Sequence, residues 1–372
     1  MKRTILALLG SLAAWAAAAA PHLPKDESQV LERLPTRRGD PAMAELRALR
    51  GAALARRYFA LAMAEGDPRY VGYAEAAVRG TAEPAAEVAF VRGLLRQYRH
   101  DFAGALGHFE EALRRDPEHV GARSWRAAVF MVGAQYEAAR AECRRLEDTA
   151  SELLATGCRA YVDAATGRTR TAYDELLAAL ERRPDAPREI RLWALTRLAE
   201  MAWRLHELAT AEAHFRAALA LGVSDQFLLA AYADFLLERG RAQEVVALLR
   251  GWTRADTLLL RLALAESVLK SPQARKHVAA LSARFDAAAL RGERLHLAEE
   301  ARFALELQGD AKRALALALQ NWKSQREPRD AALILESALA ARDFAAAAPA
   351  LRWLRESGFE SARMQRLAAS LR

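Results

Sequence analysis

One phrase of about 34 residues recurs through most of this chain, and it limits the possible folds more than any other feature. His100–Pro117 (HDFAGALGHFEEALRRDP) sets the pattern: a turn, an aromatic, an alanine three residues later, Phe109 four after that, then Ala112 and a closing proline. Glu207–Leu219 (ELATAEAHFRAAL) repeats it with Ala211, Phe215 and Ala218. Looser copies are Ala134–Leu146, Gly167–Pro184, Gly309–Leu319 and Arg342–Leu354. Phe102, Tyr136, Leu208 and Phe344 share the position after the turn. A small residue sits upstream at a matching offset: Gly93, Ala127, Ala160, Ala199, Ala233 and Ala265. Apolar residues three and four apart mark helix faces, and no alternating β-branched run suggests a strand.

The physical reading is a stack of helix pairs. Small residues let two helices approach closely, and the aromatic fills the gap they leave. One pair cannot bury its apolar face alone, so neighbouring pairs must stack into a continuous core. Asp40-Pro41 opens the array as an N-cap followed by proline at the first helical position. Residues 41–357 form the array and 358–372 a capping helix, since Glu360–Arg372 is amphipathic with a more polar face.

With its small first-helix residue, second alanine, aromatic, third alanine and closing proline, the pattern resembles the tetratricopeptide repeat family. The resemblance spans residues 52–357 and is strongest in His100–Pro117 and Glu207–Leu219. The first-helix tryptophan and tyrosine of the family are mostly missing. Between Leu258 and Leu290 the turn is Ser271-Pro272, and His277 holds an alanine place. The resemblance implies an all-α, right-handed superhelical solenoid of about nine repeats that binds other proteins.

Met1-Lys2-Arg3, the apolar run Ile5–Ala20 and Pro21 have the layout of a secretory signal over residues 1–20, with cleavage expected after Ala19. Residues 21–40 then form an extended leader. No later segment reaches 18 apolar residues without a charge. The expectation is an exported, periplasmic protein with no transmembrane anchor after cleavage. The formal net charge of +8 is mostly arginine scattered along the chain. It forms no block of like charge, so a nucleic-acid partner is not expected.

No reaction chemistry is announced. The chain has no G-x-G-x-x-G, P-loop, G-x-S-x-G, C-x-x-C or H-E-x-x-H, and Thr210 stands where a second zinc-binding histidine would follow His206-Glu207. No catalytic residue, metal or cofactor is expected. Cys143 and Cys158 lie on either side of a turn near Thr149–Ser151. They are either a disulfide closing a short loop or two reduced core thiols.

In such an array the first helices line the concave surface, and the residue after the small position points into the groove. Those residues are Ala60, Leu94, Ala128, Tyr161, Glu200, Asp234, Glu266, Phe303 and Glu336. Phe90, Tyr98, Trp193, Trp203, Phe227, Glu238 and Glu306 are neighbouring candidates. Lined carboxylates focus negative potential and aromatics supply anchors. The expected partner is therefore a protein or peptide with basic or amphipathic segments. The expected function is a non-catalytic periplasmic scaffold. The alternative is a chaperone-like accessory subunit of a periplasmic enzyme, transport or metal-handling complex.

Overall fold

A computed structural model describes residues 46–79, 81, 85–293 and 295–371, with residues 24, 26, 28 and 29 of the leader. The expected signal segment, most of the leader and the Asp40-Pro41 helix start lie outside the described residues. Every regular element among the described residues is helical. Nine consecutive pairs are followed by a terminal helix. The pairs are α1 (Gly51–Glu65) with α2 (Arg69–Val78), α3 (Ala86–Tyr98) with α4 (Phe102–Arg115), and α5 (Val120–Val132) with α6 (Tyr136–Leu146). They continue as α7 (Glu152–Ala165) with α8 (Thr169–Arg182), α9 (Arg188–Arg204) with α10 (Leu208–Ala220), and α11 (Gln226–Glu238) with α12 (Ala242–Leu249). The last three are α13 (Asp256–Val268) with α14 (Gln273–Leu290), α15 (Leu297–Phe303) with α16 (Ala311–Asn321), and α17 (Pro328–Ala341) with α18 (Ala348–Ser357). Helix α15 runs on into a π-turn at Ala304–Gln308, and α19 (Ala362–Ser370) closes the array. No helix among the described residues is long and apolar enough to cross a membrane.

The turn inside each pair is built the same way. One residue adopts the left-handed conformation in all nine: Gly66, His100, Ala134, Gly167, His206, Gly240, Lys270, Gly309 and Arg342. From the second pair to the seventh, the next amide reaches back five positions to a carbonyl, as in Asp101 to Arg96 and Glu207 to Ala202. That bond satisfies a carbonyl the helix end would leave orphaned. Only four of the nine are glycine, so the other five hold a side chain where one is disfavoured. Ala134→Gly should therefore stabilise the fold by about 0.5–1 kcal/mol, read as a shifted urea midpoint at unchanged slope.

The small upstream residues do what close packing requires. A Cβ on Gly93 would run into the ring of Phe109, which is fully buried. Ala160, Ala199, Ala233 and Ala265 are also fully buried. Phe215 lies 5.2 Å from the ring of Tyr232 and 5.6 Å from that of Phe235, so its aromatic position bridges the fifth pair to the first helix of the sixth. Asp101, Asp225, Asp310 and Ser361 each accept an amide as side-chain N-caps. Cys143 on α6 and Cys158 on α7 are joined as a disulfide with Cα atoms 5.4 Å apart. Closing a loop of that size is worth about 3 kcal/mol. Reduction should cost that amount, and alkylation without reductant should leave the intact mass unchanged.

The array winds back onto itself. The turns inside pairs form one rim, and the loops between pairs form the opposite rim. Along a continuous seam, the turn rim of the first pairs meets the loop rim of the last. Gln226 donates its amide to Met63 O at 2.8 Å, and Arg254 reaches the buried Asp67 at 3.4 Å. Farther along, the Gln325 amide donates to His100 Nδ1 at 3.2 Å and Arg326 N–H to Val132 O at 2.7 Å. Trp353 Nε1–H donates to Tyr136 Oη at 2.9 Å, and Thr169 N–H to Glu360 at 2.8 Å. The Arg204 guanidinium lies 4.6 Å over the Phe359 ring. The second winding thus seats on the first.

Candidate partner-binding surface

The first helices of the pairs face the inside of this spiral. Arg302 on α15 donates to Asp234 on α11 at 2.6 Å, although α13 lies between them in sequence. Side chains two pairs apart can converge so closely only on the inner side of a bent array. Arg261 of α13 completes the group, donating to the other Asp234 oxygen at 2.5 Å. Around it, Arg302 holds Glu306 at 2.7 Å, and Arg363 of α19 pairs with Glu336 of α17 and lies 3.7 Å from Glu238 of α11. Trp203 packs edge-on against Phe235 at 5.5 Å and donates its indole N–H to Glu238 at 3.3 Å. Glu200 pairs with Arg197 at 2.8 Å, and that guanidinium sits 4.7 Å over the ring of Tyr161.

The concave wall is therefore a chain of ion pairs rather than an acidic strip. Asp234, Glu200, Glu238, Glu306 and Glu336 do lie on it, but each has an arginine beside it. Arg197, Arg261, Arg302 and Arg363 stand outside the carboxylate and aromatic pattern expected of the groove. A signal was present for two of them, since Arg197 precedes Glu200 by three residues and Arg302 precedes Glu306 by four, which places each on its partner's helix face. The charges tune one another. Burial pushes the Asp234 carboxyl up, but Arg261 and Arg302 outweigh it and hold the group down at about 2. Burial raises Glu336 above the usual carboxylate range, with Arg363 opposing. It also pushes the Tyr161 phenol up to about 12 and lowers Arg204 to about 10.

Five expected groove residues belong elsewhere. Leu94 is buried in the core of the first pairs. Phe90 is buried, its ring 6.0 Å from Phe109 and close to Gly121 on the next first helix. Phe303 is buried 5.4 Å from Phe285 of the preceding second helix. Glu266 is buried against His277 at 2.7 Å, within its own pair. Trp193 is half-buried in the space left by Gly157, where a Cβ would strike its ring. A first helix is pressed by its own partner and also by the first helices before and after it. The positions free to face the groove are therefore fewer than one helical face suggests. Tyr98 is half-buried against Phe59 at 6.3 Å, and burial together with Asp256 and Asp67 raises its phenol to about 12. Phe227 is 49% exposed.

Two crevices of about 690 and 620 Å³ open along the seam, not on the concave wall. The first lies between Arg99-His100 and Leu295, Leu297 and Lys323. The second lies between Tyr136, Arg140 and Arg168 and the Glu356-Ser357 end of α18. Among the described residues no group of three or more histidine, cysteine or acidic side chains is arranged to hold a metal ion.

The stacked pairs and their inward-facing first helices define an α-solenoid. No protein-family model matches the chain, and no curated protein does. Among solved structures it is similar to a tetratricopeptide repeat protein from Parabacteroides merdae, at TM-score 0.39 and 14% identity, over 68% of this chain and 98% of that one. It is also similar to the Cut9–Hcn1 hetero-tetramer of the APC/C, at TM-score 0.43 and 12% identity, over 86% of this chain and 76% of that one. Likenesses this distant say nothing about what the chain binds.

Proposed function

We propose that this protein is a non-catalytic scaffold, exported to the periplasm, that holds a protein or peptide partner against its concave wall. The observation that carries the reading is the continuous inner surface from Tyr161 to Glu336, on which aromatic and charged side chains of successive pairs converge. Export is supported by the basic-apolar-small order of residues 1–20 and by the Cys143–Cys158 bond, which an oxidising compartment would preserve. Because each wall carboxylate already has an arginine, a basic segment must displace that arginine to bind. A partner offering both signs of charge beside an apolar anchor fits better, and its grip should weaken as salt rises.

The test is affinity capture from periplasmic extract with stepped salt elution, comparing the native chain with Glu200→Lys/Glu306→Lys and with Trp203→Ala. The expected result is a partner released at lower salt from the charge variant and retained less by the aromatic one. A partner bound equally by all three would remove the concave wall from consideration.

A further inference from the structure

Among the described residues the second winding covers the turn rim of the first pairs, and nothing covers the turns of the seventh to ninth pairs. Two positions, two residues before and two after the left-handed residue of each turn, record what this does. In the covered turns of the second to fifth pairs Tyr98, Val132, Ala165 and Arg204 stand before it, and Phe102, Tyr136, Thr169 and Leu208 after it. All eight are buried or half-buried. In the uncovered turns the same places hold Val268, 69% exposed, and Phe344, 47% exposed, with Pro272 and Ala340 also exposed and Leu307 and Ala311 half-buried. Leu269 beside Val268 is exposed as well. Among the described residues, three of the five large exposed apolar side chains thus fall on this one rim, which is too concentrated for scattered surface residues.

We propose that a second copy of this chain seats its own first-winding loop rim on this uncovered turn rim, head to tail, continuing the spiral. The seam inside each molecule is the same kind of contact, turn rim against loop rim, so the free rim is its direct continuation. A second copy is the partner that brings a loop rim of matching curvature. Its free loops carry the exposed acids Asp116, Glu118 and Asp148, and the uncovered turns carry exposed Lys270, Lys312 and Arg342. Among the described residues none of these six is held in an ion pair. Arg114, Arg144 and Arg145 lie near the acids, so the attraction is local pairing and not net charge. The contact is heterologous and leaves a free rim at each end of any assembly. The dissociation constant expected is that of a weak contact, about 10–100 µM. This proposal does not rest on the concave-wall reading.

Sedimentation velocity of the full-length protein from about 5 to 500 µM tests it, bracketing that range. The weight-average sedimentation coefficient should rise with concentration. Val268→Glu/Phe344→Glu should weaken association at least tenfold, and so should Glu118→Arg/Asp148→Arg, with circular dichroism and Tm unchanged because all four residues are exposed. Mixing the two variants should restore a species of two chains and nothing larger, because each brings one intact rim. A native protein that stays a single chain throughout overturns the proposal. So does a turn-rim variant that associates like the native chain, or a mixture that yields no pair.

Discussion

Asp234→Ala is expected to lower the unfolding free energy by about 3–5 kcal/mol, one of the two largest effects of any single substitution in the molecule. The carboxylate holds Arg261 at 2.5 Å and Arg302 at 2.6 Å, and the Arg261 side chain is only 7% exposed. Removing it leaves two cations facing each other with little water to screen them. Asp234→Asn should cost less, because the amide oxygen can still accept one hydrogen bond. The pH dependence follows from the depressed carboxyl. A group held at about 2 in the fold, against about 3.9 unfolded, stabilises fully above pH 4. Its contribution of about 2 kcal/mol is lost as pH falls from about 4 to 2. Urea titrations at pH 7 and pH 3 should show the native chain and Asp234→Ala differing less at the lower pH. An equal gap at both would mean that the carboxylate's charge contributes nothing.

Phe215→Ala should cost about 3–5 kcal/mol through the cavity it leaves, and Phe215→Leu less than half of that. The ring is fully buried and packs against Tyr232 and Phe235 of the next pair. The loss should therefore be felt across the junction between the fifth and sixth pairs. In a stacked array each pair contacts mainly its neighbours, so this junction should open before the rest. Hydrogen exchange should show protection falling first in α10 and α11. Uniform loss of protection along the chain would show that the seam makes the spiral one cooperative unit.

How the repeat could be read while the seam could not is clear from particular residues. Phe109, Phe215 and the small residues opposite them follow local helical spacing, and that spacing is written in consecutive residues. The pairs of helices were legible for that reason. The left-handed turn residues were only partly so, because His100, Ala134, His206, Lys270 and Arg342 give no glycine signal. Asp234, Glu200, Glu238, Glu306 and Glu336 were assigned to the inner wall from their register alone. Phe90, Phe303, Glu266 and Trp193 were misplaced because their register ignores the neighbouring helices that press on them.

The helix pair, its period and most of its core were readable in the sequence, because those depend on contacts three, four and about 34 residues apart. That charges on different pairs are matched across the wall, and that one winding seats on another, emerges only when the chain is packed. Those facts depend on Arg302 meeting Asp234, 68 residues away, and on Trp353 meeting Tyr136, 217 residues away. Such meetings are set by the small bend added at every pair, and a bend summed over nine pairs has no signature in any one of them.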